Sequence, residues 1–377
     1  MYQLKAKPED FKVKENLDLK LKDKGKFLYF TLKKTKWTTL KAIDEIARKL
    51  KVHPKVFSTA GMKDKYGIAT QYVSGFNLKL NDLKNINIKD IELTPLGYSD
   101  DRIKLGQLTS NTFEIVVRRL EKPLAKIQYF PNYYDDQRFG EVRPNTHLVG
   151  KKLLERDFEG AMKTYLCQPF ETETRDYIEF RNNLEKNWGK FSGLEVPEGM
   201  FFERKVLSQL SKEKNWTKAF MVLPRQLLTL FVQAYQSKLF NDCLNIYIGE
   251  NYSSYVEADY VLGKLAFPLD IKDPDLKIPI IGRDLRPCSR ETDSIIKDIM
   301  KKELIKPSDF KSKLSFINSK SILRPAFAKL KNIEISNLEK DELSKNRFKQ
   351  KVKFKIKKGS YATIAIKAMF ALSKSRD

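Results

Sequence analysis

The stretch Val56-Phe57-Ser58-Thr59-Ala60-Gly61-Met62-Lys63-Asp64-Lys65-Tyr66-Gly67-Ile68-Ala69-Thr70-Gln71-Tyr72-Val73-Ser74 reads as strand, loop, strand. β-Branched and aromatic residues fill 56–59 and 71–74, and Gly61 opens the polar segment between them. That loop isolates one carboxylate, Asp64, between two lysines. Loops carried on a rigid sheet are where reactive groups are displayed, so Asp64 is the first candidate for chemistry. The tripeptide Lys63-Asp64-Lys65 taken alone also fits an ordinary solvated turn.

Working outward, Phe11-Lys12-Val13-Lys14 alternates apolar and polar, as does Leu17-Asp18-Leu19-Lys20-Leu21-Lys22, and Phe27-Leu28-Tyr29-Phe30-Thr31-Leu32 follows Gly25. These are expected strands joined by short turns. From Thr38 the apolar spacing changes to Leu40, Ile43, Ala47 and Leu50, an amphipathic helix with Thr38 or Thr39 as N-cap. A strand is expected over 112–117, after Ser110-Asn111. Near the C-terminus Lys349, Lys351, Lys353, Lys355 and Lys357 alternate with Val352, Phe354 and Ile356, which gives one apolar face and one row of positive charge. That row is either an RNA-facing surface or a solvated outer face. Gly359-Ser360 then breaks the pattern before a helix over 361–372. Between Asn145 and about Ser315 helical periodicity dominates, from Leu227 to Leu244 and at 291–297, while 263–279 reads as turns and loops. The class is α+β, with a second domain inserted into the first.

Composition narrows the function. At 377 residues and 41% apolar content the chain can bury the cores of two domains. Its 72 Lys and Arg against 48 Asp and Glu leave a formal charge of +24, which calls for a polyanionic partner, nucleic acid first. A low-GC genome also inflates lysine, so the placement of the lysines matters more than their number. Cys167, Cys243 and Cys288 are far apart, with no Cys-x-x-Cys pair; His53 and His147 lack ligand spacing. No metal site is expected. No run of about eighteen apolar residues occurs, so neither a signal peptide nor a spanning helix is expected, and a cytoplasmic, reducing location follows.

Six segments, in order along the chain, resemble the motifs of the TruD family of pseudouridine synthases. Gly61, Lys63, Asp64 and Gln71 match its nucleophile motif, with Gly67 where Ala is usual and Ala69 where Thr is usual. Lys5 with Pro8-Glu9-Asp10-Phe11-Lys12-Val13-Lys14-Glu15 is similar to the first motif. Ser110-Asn111-Thr112-Phe113 resembles Gly-Asn-x-Phe with Ser for Gly, and Asn132-Tyr133-Tyr134-Asp135-Asp136-Gln137-Arg138-Phe139-Gly140 carries Asp135 in place of a Gly. Gln233-Ala234-Tyr235-Gln236-Ser237-Lys238-Leu239-Phe240-Asn241 matches a helix of the inserted domain, and Gly359-Ser360-Tyr361-Ala362-Thr363 the closing motif, where Phe is frequent at Tyr361. Most of 150–320 carries little of the resemblance.

The resemblance implies a catalytic domain on a mixed, mostly antiparallel sheet flanked by helices, from 1–148 and 318–377. It also implies an inserted α/β TRUD domain over 149–317, with the RNA cleft between them. Asp64 is the implied nucleophile, attacking the ribose C1′ or the base. The reaction needs an ionised carboxylate; a nearby cation favours that form, and Lys5 fits the family's position for it, with Lys63 as an alternative. A uridine must leave its stack to be reached, and Phe11, Phe113 and Tyr361 match the aromatic positions that would hold it. The Asn111 amide can pair with the polar edge of uracil. Arg138, beside Gln137, is expected to brace the site through hydrogen bonds or to touch a phosphate, bracing being the favoured role, and Gln71 supports the nucleophile motif. The implied substrate is tRNA, at uridine 13, with other RNA as a further target. No cofactor and no metal are needed, and a monomer is expected. The competing reading is a non-catalytic RNA-binding or ribosome-associated protein that retains the fold. A methyltransferase fits worse, since no strand leads into a Gly-rich turn.

Overall fold

The computed structural model describes residues 2–375. It divides into two compact units, Met1–Phe130 with Ala328–Asp377, and Pro131–Phe327. The first unit opens with a short 3-10 turn, Pro8–Asp10, then β1 (Phe11–Asn16), β2 (Phe27–Thr35), α1 (Thr39–Leu50), β3 (Phe57–Thr59), β4 (Ile68–Phe76), α2 (Leu80–Lys84), β5 (Ile91–Ser99) and β6 (Ser110–Leu120). After β7 (Tyr129–Pro131) the second unit contains α3 (Thr146–Leu154), α4 (Phe158–Cys167), α5 (Arg175–Lys186), α6 (Phe201–Lys212), α7 (Trp216–Met221) and α8 (Arg225–Asn251). It continues through β8 (Tyr255–Tyr260), β9 (Gly263–Pro268), β10 (Lys277–Ile280), α9 (Arg290–Glu303) and β11 (Ile322–Pro325). Following β12 (Phe327–Lys329), the first unit resumes with β13 (Lys331–Ile335), β14 (Glu339–Lys340), β15 (Phe348–Lys357) and α10 (Ala362–Ser373).

The class is the expected α+β. Nine strands form one mixed sheet in the order β13-β15-β6-β1-β4-β2-β5, with β14 on β15 and β3 on β4. Only the β1/β4 pair is parallel among them, with Val13 opposite Ala69. Register then fixes which side chains share a face, because alternate residues of a strand point to opposite sides. Val13 pairs with Phe113, and Phe113 with Phe354. Leu32 pairs with Gln71 and Lys34 with Ala69, so Phe11, Val13, Glu15, Gln71, Leu32, Lys34, Asn111, Phe113 and Phe354 lie on one face. The lysines at 351, 353, 355 and 357 alternate with these and lie on the other.

α1 covers the first face, packing Ala42, Ile43, Ile46 and Ala47 against Leu28, Phe30, Leu32 and Val73. Thr38 is its N-cap, accepting from Lys41 N at 3.2 Å. Leu40, expected in its apolar stripe, is 58% exposed; Ala42 and Ile46 carry the buried side instead. Residues 17–22 are not a strand. Leu17, Leu19 and Leu21 pack on the opposite face of the sheet against Tyr29 and Tyr72, and the backbone pairs only at Lys22 with Tyr98. Packing of every second residue onto a surface gives the same period of two as a strand does.

In the second unit, 263–279 is not all loop: β8 and β9 form a hairpin from Tyr255–Pro268 to Tyr260–Gly263, and β10 pairs with β11. The buried run Leu265, Ala266, Phe267 supplies the strand that the flanking Gly, Pro and Asp obscured. The borders between the two compact units lie at 130/131 and 327/328. α3 packs on α8 and so belongs with the second unit.

Candidate active site

The first unit assembles its candidate site around the loop between β3 and β4. Asp64 is 38% exposed in its side chain, and its Oδ2 accepts from Lys5 Nζ at 3.3 Å. Lys5 in turn lies 4.6 Å from the centroid of the Phe11 ring. Its backbone has φ 56, the left-handed region that a non-glycine residue occupies at a cost of about 1–3 kcal/mol. Such strain persists where the surroundings over-determine it. Here Asp10 does so: its carboxylate accepts from Lys7 N at 2.9 Å and from both Nε and Nη2 of Arg118 at 2.9 Å. Arg118 also donates to Asp341 at 2.8 Å, a buried cluster that pins the entry to β1.

Lys63 takes a different partner. Its Nζ donates to Glu15 Oε1 at 2.8 Å, in an ion pair whose side chains are 9% and 0% exposed, and Glu15 Oε2 accepts from Tyr72 N at 3.0 Å. The two lysines that the sequence offered to Asp64 are thus divided: Lys5 reaches its carboxylate and Lys63 holds the loop to β1. Gln71 and Thr39 hold it from beneath. Thr39 Oγ1 donates to Gln71 Oε1 at 2.8 Å and accepts from Lys63 N at 3.0 Å, while Gln71 Nε2 donates to Gly61 O at 3.3 Å.

Lys34 was not singled out in the sequence. It is fully buried and donates to the backbone carbonyls of Asp64 and Trp37, both at 2.6 Å. Burial pulls its pKa down to about 8, against the attraction of Asp64 and with Lys63 pushing the same way as burial. A signal was available: Leu28, Phe30, Leu32 and Lys34 share one parity, so the lysine falls on the core side of β2. Glu15 was likewise present in a quoted motif without a role assigned to it.

The loop closes at Gly67, whose φ is +119; a Cβ there would lie 2.4 Å from Phe11 O. The departure from Ala at this position is therefore matched to the close passage of β1. Phe11 and Phe113 meet edge to face at 5.9 Å, and Phe113 stacks on Phe354 at 5.8 Å. Asn111 is directly across from Glu15 and Ile356 in the sheet, and its Oδ1 is buried without a hydrogen-bond partner. Tyr361 is half-buried at the N-cap of α10, four residues beyond Lys357, which pairs with Ser110. Arg138 belongs to the second unit, at the end of the short turn Asp136–Arg138, with its guanidinium 5.2 Å from the Tyr134 ring. Among the described residues no three His, Cys, Asp or Glu side chains group so as to hold a metal ion. No helix among them is long and apolar enough to cross a membrane.

The first unit thus presents, on one mixed sheet, a loop aspartate with a lysine on its carboxylate and a row of aromatic rings, an α+β arrangement shared with the pseudouridine synthases that the chain resembles. The family model described as tRNA pseudouridine synthase D (TruD) matches residues 2–369. The chain is 32% identical over 390 residues to the tRNA pseudouridine synthase D of Aquifex aeolicus, covering 98% of each protein. It is 33% identical over 390 residues to the "Probable tRNA pseudouridine synthase D 1" of Methanocaldococcus jannaschii, covering 97% of this chain and 94% of that one. The crystal structure of the "Putative tRNA pseudouridine synthase D (TruD) from Methanosarcina mazei" superposes with a TM-score of 0.73 at 28% identity, over 98% of this chain and 93% of the other. The chain belongs to the tRNA pseudouridine synthase D (TruD) family.

Proposed function

We propose that the protein isomerises uridine to pseudouridine in tRNA, at uridine 13, with Asp64 as the nucleophile. The observation that carries this reading is the 3.3 Å contact between Lys5 Nζ and the Asp64 carboxylate, at the exposed tip of a loop tied down from several sides. The loop's exposure lets RNA reach the carboxylate, and Lys5 places a cation beside it.

The chemistry needs no outside group. The N1–C1′ bond breaks, the uracil turns, a C5–C1′ bond forms, and the proton on C5 is replaced by one on N1. Atoms and oxidation state are conserved, and one carboxylate can hold the intermediate. Attack at C1′ and attack at the base both use the same residue. An extruded base gains about 1–3 kcal/mol from an aromatic platform, a role assigned here to Phe11, Phe113 and Tyr361. The buried, unpartnered Asn111 Oδ1 is an acceptor suited to the imide N–H of uracil. The unit Pro131–Phe327 is taken as the family's inserted domain.

Single-turnover conversion in a tRNA transcript, read by position, tests the proposal with the wild type and Asp64→Asn. Asn keeps size and hydrogen bonding but not the nucleophile, so conversion is expected to vanish while RNA affinity persists. Conversion by the variant would remove Asp64 from the mechanism. Tight, salt-sensitive binding with no conversion by the wild type would instead favour a binding factor.

A further inference from the structure

The second unit contains a cavity of about 350 Å3 whose wall includes Tyr134, Arg138, Gln233, Gln236, Phe316 and Lys320. No carboxylate is among its lining residues, and two cations are. The Nε of Arg138 is buried with no hydrogen-bond partner, although its guanidinium packs on Tyr134. Leaving such a donor unmatched costs about 1–3 kcal/mol, so the guanidinium is not spent on a hydrogen bond through Nε. Gln236 is fixed by donating to Ile281 O at 2.7 Å, which turns its amide oxygen into the available group.

The wall is built before any ligand arrives. Arg283 donates its N–H to Ser319 O at 3.0 Å and its guanidinium to Asn318 at 2.6 Å. At Gly282 a Cβ would lie 2.4 Å from the backbone at Lys320 and Ser321, so the chain there can pass closely only because a glycine faces it. The volume is at the low end of the range for small-ligand sites, roughly 300–1,000 Å3, which suits one nucleotide and excludes a helix.

We propose that this cavity is a subsite for one unpaired nucleotide of the substrate RNA, with its phosphate at Arg138 and Lys320 and its base among the amides of Gln233, Gln236 and Asn318. The site lies within the second unit and deepens the RNA-modifying reading, on which it rests. It would add recognition of a nucleotide other than the reacting uridine. Sequence discrimination would then come from the amide groups and affinity from the two cations.

The test uses the full chain and a tRNA transcript, with equilibrium binding and single-turnover conversion measured side by side. Ser315→Trp obstructs the cavity from an exposed lining position without changing charge, and Lys320→Glu reverses one cation. Lys313→Glu is the control, an exposed lysine outside the lining. Both cavity variants are expected to weaken tRNA binding tenfold or more with unchanged melting, and the control less than threefold. Affinity of Ser315→Trp within twofold of the wild type would overturn the proposal, as would equal effects of Lys320→Glu and Lys313→Glu, which would mean a general field. Binding of 5′-AMP or 5′-UMP that Ser315→Trp abolishes, with tRNA affinity intact, would assign the cavity to a free nucleotide and overturn the RNA source. If the wild type converts no uridine yet Ser315→Trp still weakens RNA binding tenfold, the isomerase reading fails and the subsite stands.

Discussion

Glu15→Gln isolates the buried ion pair that ties the Asp64 loop to β1. In the wild type Glu15 is fully buried, accepts from Lys63 Nζ at 2.8 Å and accepts from Tyr72 N at 3.0 Å. Glutamine can still accept from Tyr72 through its amide oxygen, but its NH2 then faces the Lys63 ammonium, donor against donor. Removing one partner of a buried pair strands the other charge and costs about 3–5 kcal/mol. For a unit of this size that lowers the melting midpoint by on the order of 10 °C. The loop also loses its tether one residue before Asp64, so the single-turnover rate at a temperature where the variant is folded should fall by roughly tenfold, about 1.4 kcal/mol. The double variant Glu15→Gln/Lys63→Met removes both charges and should regain most of the lost stability, because neutral groups of similar volume replace buried pairs at little net cost. Thermal melting of the wild type, both single variants and the double variant completes the cycle. A midpoint within about 2 °C of wild type for Glu15→Gln, or a double variant less stable than both singles, would refute the coupling between the two side chains.

Three further predictions concern the same loop. Lys34 has its pKa lowered from 10.5 to about 8 by burial, a difference of roughly 3 kcal/mol between its protonation states. Below about pH 8 both folded and unfolded chains keep the proton and the fold bears the burial penalty; between about 8 and 10.5 only the unfolded chain keeps it, so stability rises with pH in that window. Melting from pH 7 to 10 should show the wild type gaining on Lys34→Met, and a constant difference would count against the buried ammonium. Lys5→Met removes a charge-assisted bond worth about 1.5–3 kcal/mol, so conversion should slow by roughly 10- to 150-fold with Lys5→Arg intermediate; an unchanged rate would show that Asp64 does not need this cation. Gly67→Ala places a Cβ against Phe11 O at φ +119, and should destabilise by about 1–3 kcal/mol in a melting assay even though Ala is usual in the motif.

Much of the first unit was legible because its signals are local. Thr38 followed by apolar residues at helical spacing gave α1 and its cap, and the lysine alternation from 349 to 357 gave β15. The placement of Asp64 on a loop between two strands followed from Gly61 and the flanking β-branched residues. The failures have a common origin: residues 17–22 and 263–268 each carry a pattern that a different structure shares, one by packing every second leucine on a sheet, the other by hiding a buried strand among turn residues. By sequence alone the lysine row of β15 fits both an RNA surface and a solvated face. Register puts it on the face opposite Phe113 and Gln71, where Lys353 pairs with Glu334 at 3.2 Å and Lys349 with Glu342 at 2.8 Å.

What the sequence determined by itself was most of the first unit's elements and the family, since strand parity, capping and turn chemistry act within a few residues and the order of motifs is read without the fold. Which group meets which was decided by tertiary structure. Lys5 and Asp64 are 59 positions apart, Glu15 and Lys63 are 48 apart, and Lys34 reaches the Asp64 carbonyl across 30. Those distances close because β1 runs parallel to β4 with Val13 beside Ala69, a register set by burial of one sheet face. A shift of one residue would turn Glu15 away from Lys63 and Phe11 away from Lys5, and no local feature of the sequence records that choice.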